Sequence, residues 1–123
     1  MNELSPDDAA KLAFVVIQKL RSAYKDNKQF SLATAATLTA SLANPGIRQG
    51  DVVSLIGGLQ GGAVSKQLDI LEARDGKPGQ PRFVYKTRNE LNRKENDLII
   101  TEEGERFKKE LATLINRTLR PSK

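Results

Sequence analysis

Apolar residues recur at helical spacing in five stretches of the chain and cluster in two short blocks rich in β-formers. The first helix is expected over about residues 5–25. Ser5 is placed to cap it, Pro6 suits its first position, and Asp7 and Asp8 sit at the positive end of its dipole. Leu12, Val16 and Leu20 repeat every fourth residue, with Ala13, Ile17 and Tyr24 beside them. Asp7 and Asp8 are adjacent, so their side chains diverge on a helix, and capping accounts for them better than a catalytic carboxylate pair. Ser31 opens a second helix with Leu32, Ala35, Leu38 and Leu42 on one side, and Asn44-Pro45-Gly46 closes it. A third, shorter helix is expected from about Arg48 to Ile56.

The fourth helix, over about residues 60–74, organises the rest. In LQGGAVSKQLDILEAR, Leu59 to Arg74, the residues Val64, Leu68 and Leu71 form one buried stripe. Ser65, Lys66, Gln67 and Asp69 fall off that stripe. A helix buried on one side and carrying small polar and basic groups on the other suits a DNA major groove. The glycine-rich run Gly57 to Gly62 before it has no Gly-Lys-Ser/Thr and follows no strand, so it reads as a tight turn between crossing helices rather than a nucleotide loop. Gly61 and Gly62 disfavour a helix start, a cost that close approach of a DNA backbone would justify.

Downstream, Asp75 to Pro81 is a loop by composition, and Phe83-Val84-Tyr85 and Leu98-Ile99-Ile100 are two short strands. The polar segment KTRNELNRKEND, Lys86 to Asp97, joins them. Thr101 then caps a last helix over about 102–119, whose Phe107, Leu111, Leu114, Ile115 and Leu119 repeat at helical spacing. Four helices, a hairpin at about 81–101 and a closing helix make a mainly α fold with a small β-hairpin wing. This is a winged helix-turn-helix, expected to fill residues 1–123 as one domain.

Charge sharpens this picture. The chain carries a net +5. The window Lys77 to Lys94 holds six basic residues and one acid, Glu90, so it carries the same excess by itself. Positive charge gathered in a wing beside a helix-turn-helix points to phosphate. The chain has no Cys and no His, which excludes disulfides, zinc fingers and the commonest general base. Ser65-Lys66 is the one nominal nucleophile–base pair, and neighbours on a helix point about 100° apart. No enzyme, cofactor or metal site is expected. The longest apolar run is far too short for a membrane span, and no signal peptide is visible, so a cytoplasmic location is expected.

Two segments resemble the MarR family of winged-helix transcription regulators. LQGGAVSKQLDILE, Leu59 to Glu72, is similar to the family's recognition helix, and LIITEEGERF, Leu98 to Phe107, to its second wing strand running into the last helices. The resemblance implies a homodimeric regulator of double-stranded DNA with room for a small-molecule effector. Candidate DNA contacts are Arg48, Gln60, Gly62, Ser65, Lys66, Gln67, Lys86, Arg88, Arg93 and Lys94. The family's wing Arg follows an Asp and enters the minor groove; Arg88 or Arg93 takes that place here, without the Asp. Leu12, Val16, Leu20, Phe107, Leu111 and Leu114 are the expected dimer contacts, unless the protomer's own core uses them. The sequence ends after one C-terminal helix where the family commonly has two. Non-specific nucleic-acid binding and a protein-interaction module remain the alternative functions.

Overall fold

The computed structural model describes residues 4–58, 61–72, 81–89, 91 and 95–119. The order is α1 (Pro6–Ala23), α2 (Leu32–Ala43), α3 (Gln49–Ile56), α4 (Gly61–Glu72), β1 (Val84–Arg88), β2 (Asn96–Ile100) and α5 (Glu102–Leu119). Among the described residues, five helices and one antiparallel hairpin give the mainly helical winged-helix architecture that the apolar spacing predicts. Among the described residues, no helix is long and apolar enough to cross a membrane.

Helices α1 and α2 start at side-chain caps. Ser5 Oγ accepts from the Asp8 N–H at 3.1 Å and opens α1, with Pro6 in the first turn. Ser31 and Thr34 exchange bonds in a capping box at α2: Thr34 N donates to Ser31 Oγ, and Ser31 N to Thr34 Oγ1. The buried face of α2 combines Leu38 and Leu42 with small polar residues. Thr37 and Ser41 are fully buried, and their hydroxyls donate to the carbonyls of Ala33 and Thr37 one turn earlier, so neither needs a partner on another helix. That slim face packs against α4. Between α3 and α4 the chain turns through Gly57 and Gly58, at φ 64° and 69°, a region open to glycine at little cost.

The strands are longer than their apolar blocks suggested. Phe83, expected in the first strand, lies just before it; Val84 and Tyr85 and all three of Leu98, Ile99 and Ile100 are paired, and each strand holds five residues, from Val84↔Ile100 to Arg88↔Asn96. Lys86, Thr87 and Arg88 extend β1, and Asn96 and Asp97 extend β2, because the ladder satisfies their backbones whatever their side chains. The segment before α3 joins the other edge of β2. Gly46 N donates to Leu98 O, Leu98 N donates to Ile47 O, and Arg48 bridges to Asp97. The wing is thereby tied to the helix-turn-helix from both sides.

The core runs through Leu38, Leu42, Val52, Val64, Leu68, Leu71, Val84 and Leu98, and continues into an aromatic layer where α1 and α5 meet the base of the wing. There Phe83 stacks on Phe107 at 4.5 Å between centroids, Tyr24 stacks on Phe30 at 4.3 Å, and Tyr24 meets Phe83 edge-on at 5.8 Å. Leu20 and Phe107, expected at a dimer contact, belong to this core, at 5% and 4% exposure. Val16 and Leu111 pack against it, and Leu12 and Leu114 are half-buried. The two terminal helices therefore use the predicted stripes largely on each other and on the core. The apolar side chains they leave to solvent are different ones: Phe14 at 63% and Ile17 at 49% on α1, and Leu119 on α5.

Candidate nucleic-acid interface

Helix α4 buries Val64, Leu68 and Leu71 completely, and this fixes what its other faces present. Gly62, Lys66 and Asp69 are exposed, and Ser65 and Gln67 are half-buried. Ser65 and Lys66 are consecutive helical residues. Gln67 flanks the buried stripe, and its Oε1 accepts from the Thr34 hydroxyl of α2. That amide oxygen joins the α2 capping box to α4, so Gln67 holds two helices together where the sequence suggested a base reader.

Three predicted cations stand at the surface. Arg48 caps α3 through its backbone alone, Lys66 projects from α4, and Arg88 ends β1; all three are exposed. None of the three forms an ion pair among the described residues. The strand register relates two of them. Arg88 pairs with Asn96 and Arg48 with Asp97, so the two arginines flank β2 at nearly the same level. One strand spacing on each side of β2 puts their backbones about 10 Å apart. Gln60, Arg93 and Lys94 lie outside the described residues.

Lys86 differs from the other wing cations. Its Nζ lies 3.0 Å from Asp69 Oδ1 and 3.5 Å from Glu72 Oε1, and its side chain is only 11% exposed. Its backbone N–H also donates to Glu72 Oε2 at 3.2 Å. The ammonium predicted to meet phosphate is held between two carboxylates of α4.

The tip-side end of the wing contains residues that the spacing of the sequence does not single out. Asn89 Nδ2 donates to both oxygens of Asp97, at 3.0 and 3.1 Å, and Asn89 Oδ1 accepts from Leu91 N at 2.8 Å. This Asx-type turn holds the wing beside Arg88. The residue pair Asn89 and Asp97 carries no local signal, because a polar segment separates them. Beneath the wing, α1 and α5 enclose an open cavity of about 660 Å³ whose lining includes Lys19, Phe83, Glu103, Arg106 and Glu110. Lys19 pairs with Glu110 at 3.2 Å and lies over the Phe107 ring. Among the described residues, no group of three acidic, His or Cys side chains is placed to hold a metal.

The fold, as distinct from the site's side chains, is found in solved structures. MarR itself matches with a TM-score of 0.55 at 19% identity over 89% of this chain and 77% of that one. The fold is that of the MarR-type winged-helix regulators. PcaV, a transcriptional regulator from Streptomyces coelicolor solved with its natural ligand, matches at 0.53 and 22% identity over 96% of this chain and 80% of that one. Reduced AbfR bound to DNA matches at 0.58 and 13% identity over 93% of this chain and 76% of that one. No protein-family model and no curated protein matches the sequence. In the MarR-type frame, α3 and α4 are the helix-turn-helix, and β1 and β2 are its wing.

Proposed function

We propose that the chain is a DNA-binding transcription regulator that acts as a homodimer, with α4 in the major groove and the wing on the phosphate backbone or minor groove. One observation carries this reading. Arg48, Lys66 and Arg88 are exposed cations without carboxylate partners among the described residues, and they come from the N-cap of α3, from α4 itself and from the end of β1, with α3 and β1 both packing against α4. The likeness to a DNA-bound structure supports it. Direct contacts are assigned to Arg48, Gly62, Ser65, Lys66 and Arg88, with Gln60, Arg93 and Lys94 completing the set outside the described residues. Gln67 contributes to the scaffold. Few long side chains face outward from α4, so base reading rests mainly on Lys66 and Ser65, and phosphate contact supplies most of the affinity.

The dimer face proposed is the exposed apolar row of α1, Phe14 and Ile17, together with the outer side of α5. The cavity between α1, α5 and the wing base is the proposed place for an effector. It touches both the dimer helices and the wing, and PcaV, with the same fold, was solved with a natural ligand.

Fluorescence anisotropy against a mixed pool of duplexes, including the upstream region of the gene for this protein, tests the reading at two salt concentrations. A regulator retains one duplex at moderate salt, and the slope of log affinity against log salt is steep, about −0.9 per phosphate contact. Uniform binding that disappears with salt replaces the regulator with a non-specific DNA-binding protein. No binding at either salt removes nucleic acid from the account and leaves a protein partner.

A further inference from the structure

We infer that Lys86 is a positioning residue for DNA binding: it latches the wing to the recognition helix and does not itself contact phosphate. The inference rests on the DNA-binding reading above and adds a mechanism to it. Val84, Lys86 and Arg88 share one face of β1. Along that face the environment changes in steps. Val84 is fully buried in the core, Lys86 is enclosed by α4 carboxylates, and Arg88 is exposed. Three interactions make the enclosure: the ammonium to Asp69 at 3.0 Å and to Glu72 at 3.5 Å, and the backbone N–H to Glu72 at 3.2 Å. A phosphate reaching this ammonium has to displace two carboxylates that already neutralise it.

The latch lies between the two cations whose separation matters. Asp69 is three residues beyond Lys66 on α4, and Lys86 is two residues before Arg88 on β1. Closing Lys86 on Asp69 and Glu72 therefore sets how far Arg88 stands from Lys66. A wing held at that distance engages the same duplex that receives α4. A wing free to swing must first be ordered, and that entropy reduces affinity. Lys86 and Glu72 are largely buried while Asp69 is half-exposed, and the role inferred for the cluster is to fix the wing's geometry rather than to add stability.

The test uses the full chain, the tightest duplex from the pool, and the variants Lys86→Gln, Lys86→Arg, Asp69→Asn and Arg88→Gln, each checked for an unchanged circular-dichroism spectrum. Arg88→Gln is expected to flatten the salt slope by about 0.9 for each phosphate that the arginine neutralises in the wild-type complex. Lys86→Gln is expected to weaken binding by about three- to thirty-fold while the slope stays at the wild-type value. Lys86→Arg, which keeps the cation, restores affinity. Asp69→Asn discriminates further and does not depend on Lys86→Gln folding. It removes a negative charge from the DNA-facing side, so electrostatics alone predict tighter binding, whereas the latch predicts weaker binding. A flattened slope in Lys86→Gln, or tighter binding by Asp69→Asn, overturns the latch while the DNA reading stands. Wild-type protein that binds no duplex overturns the DNA reading and the latch with it.

Discussion

A methyl group built onto Gly62 meets nothing within 4 Å, so nothing inside the described protomer requires glycine there. Glycine in a helix is less favourable than alanine by about 1 kcal/mol, and somewhat less than that in a first turn. Gly62→Ala is therefore expected to raise stability by about 0.5–1 kcal/mol in a denaturant melt. If α4 enters a groove at this point, the same methyl meets the DNA backbone, and anisotropy should show weaker binding. Opposite signs in the two assays place Gly62 at the interface, whereas a gain in stability at constant affinity removes it. Tyr24 presents the reverse case. Its hydroxyl is buried and has no hydrogen-bond partner among the described residues. Burial, and secondarily Glu103, hold its pKa far above the ordinary 10.0. The unfolded chain releases this proton near pH 10 while the folded chain retains it. Stability is thus unaffected below that pH and falls above it, by up to about 1.4 kcal/mol per pH unit. Tyr24→Phe removes an unsatisfied polar group and is expected to gain about 1 kcal/mol at neutral pH. Urea melts on either side of about pH 10 should show a smaller alkaline loss of stability in the variant. An unchanged loss would assign it to other groups.

Helix α5 approaches the wing most tightly at Gly104. A Cβ on Gly104 would lie 2.3 Å from the Phe83 carbonyl oxygen and 2.7 Å from Ile100 Cγ2. The carbonyl is backbone and cannot rotate away, so α5 must move off the hairpin. Gly104→Ala is expected to cost at least about 2 kcal/mol, read as a lower denaturant midpoint. Thr101 holds the same corner: its hydroxyl accepts from Gly104 N at 2.9 Å and donates to Arg82 O at 2.6 Å. The start of α5 was legible, because a threonine followed by two glutamates is a local signal. The reason for Gly104 was not, because Phe83 lies far earlier in the chain and nothing in the first turn names its neighbour. The same division runs through the molecule. The five apolar periods and the two β-rich blocks marked the elements, since each is written within its own segment. The strand ends were missed because polar residues in a ladder look like loop. At the site, Arg48, Lys66 and Arg88 lie at the surface as expected, because a charged residue off an apolar stripe is exposed by default. Gln67 and Lys86 were expected there too, yet Thr34 and the Asp69–Glu72 pair engage them from other elements. Side chains that bridge elements are recognisable only after the elements are assembled.

For the whole molecule, the placement of the apolar stripes bears on assembly. The family resemblance implied a dimer contact at Leu20 and Phe107, with the protomer's core as the alternative use, and both lie in that core. A helix in a chain of this size has too little apolar surface to serve both purposes with one stripe. Helix α1 carries a second row, with Ala10, Ala13, Phe14 and Ile17 exposed. Phe14 and Ile17 are large, and adjacent turns place them side by side. Covering each is worth roughly 1–2 kcal/mol, and twofold symmetry doubles that across an interface. The double variant Phe14→Ser, Ile17→Ser removes this row without touching the core, so it should fold with an unchanged melting midpoint when both proteins are measured as monomers at high dilution. Sedimentation velocity over a concentration series is expected to show wild-type dimers and variant monomers. The variant should also bind an operator duplex more weakly, because two half-sites held by one dimer gain from effective concentration. A variant that stays dimeric would move the interface to α5. Wild-type chain that is monomeric at every concentration would mean that the row on α1 faces a different partner, and that each protomer engages DNA alone.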